Sequence, residues 1–508
     1  MKKTKKMTAV LLSGALMITL LSACGANATA ENTETNTAET ETPSETKITE
    51  ILEAEKEKES SAAEKEKGGT PPEKPDGNGP GGMPPGGTPP GGAPGGKPGG
   101  SSSADLTYTA SAEITSSASE SGKTYSSSAA DESALLISTS GDVTVSNMTV
   151  TKTGDSDGGD NCNFYGLNAA VLVKDGANVT IEGGSIESSA DGANGVFCYG
   201  GNGGQNGASG DGTTLTIRNT KITTTGDGSG GIMTTGGGVT YAYDLEVETS
   251  GRSSAAIRTD RGGGTVVVDG GTYTSNGLGS PAIYSTADIT VSNATLISNL
   301  SEGVCIEGKN SITLVDCDLT TNNTKTNGNA TFLDTIMIYQ SMSGDADSGT
   351  SSFTMEGGSL TSKSGHVFHV TNTNAVITLK NVTINNEDDD NILLSVCDDG
   401  WSGASNIATL NASKQQLSGA VLVGEGSTLT LNLSSGSSFE GYVSGTVINN
   451  SGKIISDTVG TVNVTLDSSS TWTLTADSYI TSCSGNISNV ITNVMTLTAD
   501  SYITSFSG

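Results

Sequence analysis

The stretch that decides the fold is PAIYSTADITVSNATLISNLSEGVCIEGKNSITLVDCDLTTNN, residues 281–323. Two short segments of alternating apolar and polar residues begin at Ile289 and Ile312, and each leads to a turn residue, Asn293 or Asp316. Another alternating segment follows each turn. Alternation with a period of two is typical of β-strands that bury one face, and the equal spacing of the segments and their turns indicates that one structural unit repeats.

The same unit recurs on both sides of this stretch. A triplet with Thr or Val between two apolar residues begins at ten positions: Val143, Val179, Leu215, Val239, Val266, Ile289, Ile312, Phe353, Ile377 and Leu429. More than half of the intervals between them are close to the interval from Ile289 to Ile312. A third short strand precedes many of these triplets, as in GIMTT, AIRTD, AIYST, VCIEG and VFHVT. Three strands within one such interval suit one coil of a solenoid, because coils that stack about 4.8 Å apart pair equivalent strands in parallel.

This pattern resembles the right-handed parallel β-helix of the pectin-lyase-like superfamily, and especially the Gly/Ser/Thr-rich surface lipoproteins of bacteria built on it. The resemblance covers residues 104–470 and implies an all-β fold, a right-handed parallel β-helix (a solenoid) preceded by a disordered linker. Leu474–Ser482 recurs in the sequence as Leu497–Ser505, so we expect residues 471–508 to form terminal duplicated coils. Such a fold hosts lyases, hydrolases, adhesins and inert stalks, and therefore leaves the function open.

The first residues carry the marks of export. Four lysines among the first six residues precede an apolar stretch, Met7–Leu20, and the sequence Leu-Ser-Ala-Cys ends at Cys24. This resembles a bacterial lipobox, which implies that residues 1–23 are a lipoprotein signal peptide and that Cys24 receives the lipid. The chain is then expected to be extracytoplasmic, anchored to the cell membrane through that lipid and exposed on the cell surface. Residues 24–103 are acidic and then Pro/Gly-rich, which predicts a disordered spacer.

Charge narrows the range of partners. The chain has 55 acidic and 25 basic residues, a formal net charge of −30 at pH 7. We therefore expect no nucleic-acid binding, because such binding relies on an excess of Lys and Arg that displace counterions from phosphate. Only two histidines occur in the whole chain, which leaves few groups suited to proton transfer at neutral pH.

Aligning the coils predicts which side chains point outward on one face. The alignment treats five residues as equivalent inward positions: Ile232, Ile257, Ile283, Ile306 and Phe368. The next residues then form an outward row of Met233, Arg258, Tyr284, Glu307, Tyr339 and His369. A second outward row contains Thr235, Asp260, Thr286 and Lys309, with Arg261 just after Asp260.

These two rows are the candidate ligand face. Tyr284 and Tyr339 are suited to stacking on sugar rings, and the charged residues beside them to hydrogen bonding with hydroxyls. We therefore expect a non-enzymatic role in adhesion or in binding glycans or other surface ligands. A polysaccharide lyase is the alternative, with Arg258 or Lys309 as base beside calcium on Asp260. A glycoside hydrolase would use Asp260 and Glu307, and a solvated face of charge pairs would leave a passive structural stalk.

The sequence predicts no cofactor, and calcium is the one metal ion that it suggests. No cofactor motif is present, and calcium is the one ion that the acidic loops suit, above all Asp155, Asp157 and Asp160. Other acidic loops are Asp345–Asp347, Glu387–Asp390 and Asp398–Asp399, and we expect Trp401 after the last of these to be exposed. His366 and His369 are three residues apart, a spacing that on a regular strand points to opposite faces and argues against a shared metal.

Six cysteines remain beyond Cys24: Cys162, Cys198, Cys305, Cys317, Cys397 and Cys483. Their spacing shows no metal motif. Buried free thiols and a Cys162–Cys198 disulfide both fit the sequence, since connectivity does not follow from sequence alone.

Overall fold

The computed structural model describes residues 106–203, 209–341 and 343–504. Almost all of the regular structure in these residues is β, and the long sheets are parallel, so the predicted parallel β-helix is confirmed. The predicted signal peptide, Cys24 and the spacer lie outside the described residues. Among the described residues, no helix combines the length and the apolar character needed to cross a membrane.

One face of the solenoid is a sheet of fifteen strands, here called sheet A. Its strands are Glu113–Ile114, Leu135–Ser138, Val171–Lys174, Val196–Tyr199, Ile232–Thr235, Ile257–Thr259, Ile283–Ser285, Val304–Glu307, Asp334–Tyr339, His366–Thr371, Ile392–Val396, Gln416–Val423, Ser438–Ser444, Thr471–Leu474 and Val490–Ile491.

The other faces belong to a second parallel sheet, sheet B. Its strands are Ala118–Ser121, Thr124–Ser127, Asp142–Lys152, Asn178–Ser188, Thr214–Arg218, Lys221–Thr224, Gly238–Thr249, Gly264–Ser275, Asp288–Ser292, Thr295–Ser298, Ser311–Val315, Asp318–Thr321, Thr350–Glu356, Ser359–Ser362, Asn374–Lys380, Thr383–Asn386, Ile407–Ser413, Thr428–Ser434, Thr461–Leu466, Ser478–Gly485 and Leu497–Thr504.

A few elements lie outside the two sheets. Thr109–Ala110 pairs in parallel with Glu132–Ser133, and Thr446–Ile448 forms an antiparallel pair with Ile454–Asp457. One short α-helix, α1, spans Asp160–Tyr165, and a 3₁₀ turn spans Ile487–Asn489. The sequence around α1 gives no helical periodicity, because a helix this short cannot produce it.

Each coil turns at the residue type that the sequence repeats. Asn293 and Asp316 occupy the same place in successive coils, and both adopt the left-handed conformation, with φ of 54° and 50°. Asn and Asp tolerate this conformation better than most residues. The turn residue after each Thr-containing triplet is therefore fixed by backbone geometry, which explains why the sequence signal for the coil is strong.

The core is a column of stacked apolar side chains inside the coils. In sheet A, Ile283 pairs with Val304, Val304 with Ile336, and Ile336 with Phe368, and all four side chains are buried. The predicted alignment, which made Ile306 the partner of Ile283, is therefore wrong by two residues. The cause is a longer corner: two more residues separate Ile306 from Ser311 than separate Ser285 from Asp288, although each pair joins the same sheets.

The register corrects the two outward rows. Tyr284 pairs with Cys305, and the row continues through Met337 to His369. Glu307 instead pairs with Tyr339, so both belong to the second row. Arg258 and Tyr284 are direct neighbours, as expected.

The duplicated sequence near the C-terminus pairs in parallel, but its two copies are out of phase. Ser478 lies opposite Leu497, and Tyr479 lies opposite Thr498. In the duplicated sequence, by contrast, the counterpart of Tyr479 is Tyr502. Residues at equivalent positions of the two copies therefore do not pair with each other.

A layer of inserted segments covers the outer face of sheet A. Phe164 and Tyr165 of α1 belong to a buried apolar cluster with Phe197 and Met233 of the sheet. Farther along, two more apolar clusters contain residues of the segments 322–333, 397–406 and 445–458. Apart from Lys309, whose side chain is about half exposed, the outward rows therefore face protein instead of water, and the described part of this face lacks the expected open groove.

Candidate functional site

The predicted ligand-face residues form a buried polar cluster beneath the covering layer. Arg258 Nη2 donates to Asp260 Oδ2 at 2.7 Å, and both side chains are more than nine-tenths buried. Arg258 Nη1 donates to Asn163 Oδ1 of α1 at 3.3 Å and to the carbonyl oxygen of Ser253 at 3.0 Å. Its guanidinium lies 5.6 Å from the ring centre of Tyr284. Arg258 thus fastens α1 to sheet A and is enclosed by protein.

Burial dominates the electrostatics of Asp260. It raises the pKa of Asp260 to about 7, in spite of the opposing charge of Arg258. Asp260 Oδ1 also accepts a hydrogen bond from the backbone N–H of Arg261 at 3.0 Å. Both oxygens of this carboxylate therefore have protein partners.

The strap, defined as residues 343–349, is fixed to the same cluster. Arg261 Nη2 donates to Asp345 Oδ1 at 2.6 Å, and the Arg261 guanidinium lies 4.2 Å from the ring centre of Phe164. Lys309 is also near the strap, with its Nζ 3.2 Å from Asp347 Oδ2. The Lys309 pair is half exposed, whereas the Arg261 pair is largely shielded from water.

Glu307 lies in a cage of hydroxyl groups. Tyr284 donates to its Oε2 at 2.5 Å and Tyr339 donates to the same oxygen at 3.1 Å. Ser341 donates to Oε1, as does Ser343 at 3.2 Å. Burial raises the pKa of Glu307, while the hydroxyl donors of Ser341 and Tyr284 act in the opposite direction. The two tyrosines are thus occupied with a carboxylate and are not placed as exposed platforms for sugar rings.

His369 lies in a second buried cluster, with His366. His366 Nδ1 and His369 Nδ1 are each 2.7 Å from Ser395 Oγ, and the two rings lie 5.3 Å and 4.8 Å from the ring of Phe332. The expectation that the two histidines face opposite sides is wrong. Val367 and Phe368 between them both enter the core, so the strand bends and returns both imidazoles to the outer side.

Asp399 completes this second cluster. Its Oδ2 lies 3.5 Å from His369 Nε2, and its Oδ1 accepts hydrogen bonds from the backbone N–H and the hydroxyl of Thr331 at 2.9 and 2.7 Å. Burial lowers the pKa of His366 to about 3, so this ring is neutral at physiological pH. The side chains of Ser395, His369 and Asp399 are fully shielded from solvent, so the arrangement fixes the covering segments and offers no accessible nucleophile.

Trp401, expected to be exposed, is buried. Its ring centre lies 4.8 Å from that of Tyr339, and it shares an apolar cluster with Cys305, Ala330 and Met337. It therefore anchors the segment 397–406 on sheet A.

The acidic loop expected to bind calcium has separate surroundings for its carboxylates. Asp155 Oδ1 accepts a hydrogen bond from the backbone N–H of Asp191 at 2.9 Å. Asp160 begins α1 near Asp345, Arg261 and Arg258, where burial raises its pKa, and Asp157 is exposed. In residues 106–504, apart from 204–208 and 342, no three His, Cys, Asp or Glu side chains converge in a way that suits a metal ion.

All six cysteines of the solenoid are buried free thiols. Cys198 points into the core of the coils, whereas Cys162 lies in α1 with its Sγ 3.3 Å from Ser156 Oγ. Cys162 and Cys198 therefore do not form a disulfide in this structure.

A cleft of about 240 Å³ opens at the edge of the covering layer. Most of the surface that faces the cleft is apolar, although six of its nine lining residues carry amides or hydroxyls: Gln340, Ser348, Gly349, Asn372, Thr373, Asn374, Ala404, Ser405 and Ile407. Asn372 holds the walls together, because its Nδ2 donates to the carbonyl oxygen of Gln340 at 2.7 Å and its Oδ1 accepts from the backbone N–H of Ala404 at 2.7 Å. Gln340 Oε1 has no hydrogen-bond partner among the described residues.

The sequence alignment did not predict this cleft. It also did not predict most of the side chains that contact the two buried polar clusters. Ser341, Ser343, Ser395 and Asn372 were not predicted as site residues, and Asp345 was expected only as part of an acidic loop suited to calcium. Several of them lie in or beside the strap and the segment 397–406, where the coil spacing is interrupted and alignment fails. The usable signal was the insertion itself, because a long excursion from a regular coil places extra side chains over one face.

Comparison with models of known protein families gives no match for this chain. A search of curated proteins likewise gives no significant relative.

Proposed function

We propose that this protein is a cell-surface lipoprotein whose β-helix binds neutral glycans, and that the cleft beside the strap is the binding site. The cleft is the observation that carries the proposal. Its volume is below the roughly 300–1,000 Å³ of pockets that enclose drug-sized ligands, so it suits a single sugar unit.

The lining has the chemistry that sugar hydroxyls require. Ser348, Asn374 and Ser405 are exposed polar side chains in this lining. Asn374 Nδ2 donates to Thr350 Oγ1 at 3.0 Å and keeps its amide oxygen toward further donors. Such a mainly apolar wall with a few polar groups suits a sugar, because the ring carbons pack on the apolar surface and the hydroxyls pair with the polar groups.

Charge supports a neutral ligand. Among the described residues, no Asp, Glu, Lys or Arg lines the cleft, and the chain carries a net charge of −30. A strongly acidic polysaccharide would be repelled by the field of the whole chain. Neutral oligosaccharides are therefore the ligand class of this proposal.

The binding experiment compares two tryptophan substitutions in one loop. Ser405→Trp fills the cleft, whereas Ser402→Trp adds the same bulk at an exposed position outside the lining. We expect a neutral glycan to be retained by the wild type and by Ser402→Trp on a glycan array, with at least about tenfold weaker binding by Ser405→Trp. Equal binding by the two variants, or no binding by the wild type, refutes the site.

The same samples address the alternatives. New unsaturated sugar ends that absorb in the ultraviolet would identify a lyase, and new reducing ends without such absorbance would identify a glycoside hydrolase. Absence of both binding and turnover would leave the passive stalk.

Lipid anchoring is the second part of the proposal, carried by the lipobox that ends at Cys24. Substitution Cys24→Ser removes the thiol that would receive the lipid. We expect the wild type in the membrane fraction, with a diacylglyceryl mass on its N-terminal peptide, and Cys24→Ser in the soluble fraction. A wild-type N-terminal peptide without lipid refutes this part and leaves the glycan site untouched.

A further inference from the structure

Two carboxylates lie on adjacent coils beneath the covering layer, apart from the cleft. Val304 pairs with Ile336, and the backbone N–H of Gly303 donates to the carbonyl oxygen of Thr335 at 2.9 Å. This register places Glu302 opposite Asp334, one coil apart, a backbone separation of about 4.8 Å. Glu302 is 6% exposed and Asp334 is 1% exposed.

Neither carboxylate has a basic partner among the residues that the structure describes. Ser301 donates its hydroxyl to Glu302 Oε2, whereas Asp334 Oδ1 and Oδ2 have no hydrogen-bond partner in the same set of residues. Burial raises the pKa of Glu302 and raises that of Asp334 well above its usual range, and the negative charges of Glu302 and Asp399 add to the effect on Asp334. Two buried carboxylates without a counter-charge are costly.

A neutral oxygen lies beside the pair and is also unsatisfied. Asn323 is fully buried, and its Nδ2 donates to the carbonyl oxygen of Asp334 at 3.1 Å. This bond holds the Asn323 amide next to Asp334, and Asn323 Oδ1 finds no hydrogen-bond partner in the described part of the chain. The three unsatisfied atoms, Asp334 Oδ1 and Oδ2 and Asn323 Oδ1, are all hydrogen-bond acceptors. They are therefore suited to a positively charged ligand.

We propose that a calcium ion binds between Glu302 and Asp334, with the Asn323 side-chain oxygen as a further ligand. Calcium takes carboxylate and amide oxygens in flexible arrangements and completes its shell with water. The described residues contain no group of three His, Cys, Asp or Glu side chains that suits a metal ion. The proposed site agrees with that finding, because it has only two carboxylates and its third ligand is an amide oxygen. The site is also separate from the exposed loop of Asp155, Asp157 and Asp160.

The ion would link the two ends of one covering segment, residues 322–333. Asn323 lies at the start of the segment 322–333, and Asp334 follows its end. Within this segment, Thr331 donates to Asp399 and Phe332 lies against His366. Calcium between the two ends would therefore keep the segment seated on sheet A.

The test is calcium titration of the full-length chain after removal of metal with a chelator. We expect one tight site per chain by calorimetry at pH 7.5 and a rise in Tm with calcium concentration, because a ligand that binds only the folded state stabilises it. Asp334→Asn and Glu302→Gln keep the size of each side chain and remove its charge. Both variants are expected to lose the tight phase and the calcium-dependent rise in Tm.

The control is Asp389→Asn, which removes the same charge from the exposed acidic run Glu387–Asp390. We expect this variant to retain the tight phase. Loss of that phase in Asp389→Asn, with retention in Asp334→Asn, would assign the calcium to the exposed loop and overturn the proposal. A wild type that binds no calcium, together with a more stable Asp334→Asn, would show that the carboxyls share a proton instead. Circular dichroism verifies that each variant is folded.

Discussion

Arg261 and Asp345 form an ion pair between two parts of the chain that are distant in sequence. Arg261 Nη2 and Nε donate to the same oxygen of Asp345, at 2.6 and 3.2 Å. Asp345 belongs to the strap, and Arg261 follows a strand of sheet A. This ion pair thus fastens an inserted segment onto the solenoid, next to the Ser343–Glu307 hydrogen bond at 3.2 Å.

Substitution Asp345→Asn should loosen the strap. The pair is about three-quarters shielded from water, so removal of the charge should lower the free energy of unfolding by about 1.5–3 kcal/mol, the range for hydrogen bonds to charged groups. Urea denaturation provides the measurement. Hydrogen exchange of residues 343–349 should also accelerate, because the strap loses its fixed contact.

Asp347→Asn is the matched control, since Lys309 and Asp347 form a half-exposed pair on the same strap. Exposed pairs contribute about 0–1 kcal/mol, so this variant should remain close to the wild type. Equal losses in the two variants would contradict the role given to Arg261.

The coils were predictable from the sequence because each one repeats the same physical requirements. Ile289 and Ile312 enter the core and Asn293 and Asp316 make the left-handed turn, so one coil identifies the next. The site was not predictable in the same way. Glu307 was placed in the wrong row because the corner after Ile306 is longer, and no periodic signal indicates that length.

The covering layer is the larger difference between expectation and structure. Outward positions on one strand face were taken to be solvent-facing, but Arg258 lies under a covering segment. Trp401, which was expected to be exposed in a loop, is itself buried as part of the covering segment 397–406. Insertions have no repeat partner against which to align them. Their contacts depend on side-chain packing between segments that are distant in sequence, such as Tyr339 against Trp401, and sequence spacing does not carry that information.

Asp260 gives the chain a specific pH dependence. Its pKa is raised from an ordinary 3.8 to about 7 in the folded protein. The folded state therefore binds this proton more tightly than the unfolded state, so the contribution of Asp260 to stability is present at low pH and declines as the pH rises from about 4 to about 7. Asp260→Asn is neutral at every pH and should gain stability relative to the wild type between pH 5 and pH 8.

The measurement is the free energy of unfolding of the wild type minus that of Asp260→Asn, compared at pH 5 and at pH 8. His366 has the opposite sign, because its folded pKa of about 3 makes stability fall as the pH decreases below its ordinary 6.5. His366 is present in both proteins and cancels in the difference. A difference that does not change between pH 5 and pH 8 would contradict the raised pKa of Asp260.

The six cysteines of the solenoid should resist thiol reagents in the folded protein. Burial raises the pKa of Cys162 and Cys317 to about 11 and that of Cys198 to about 12. The thiolate is the reactive form, and each of the six side chains is buried.

We expect no reaction of these six thiols with an aromatic disulfide reagent at pH 8 and release of six equivalents after denaturation, counted in the Cys24→Ser background. Cys162→Ser in that background should release five. Four equivalents from the parent chain, rising to six after reduction, would indicate a disulfide that the structure does not contain.

Trp472 is the largest side chain that the last coils bury. It is fully buried, its ring stacks on Phe439 with centres 5.7 Å apart, and its Nε1 donates to the carbonyl oxygen of Gly441 at 3.1 Å. Removal of a buried aromatic side chain costs about 3–5 kcal/mol. Because each coil contacts only its neighbours, the effect of Trp472→Ala should concentrate in residues 438–485.

Substitution Trp472→Ala should therefore destabilise one end of the solenoid much more than the middle. Hydrogen exchange in residues 438–485 should accelerate by about two orders of magnitude or more, since each 1.4 kcal/mol is a factor of about ten, while the coil of residues 283–298 keeps its protection. Trp472→Phe is the control, because it retains a ring against Phe439 and should lose less than half as much protection. Uniform acceleration along the chain in Trp472→Ala would show instead that the coils unfold as one cooperative unit.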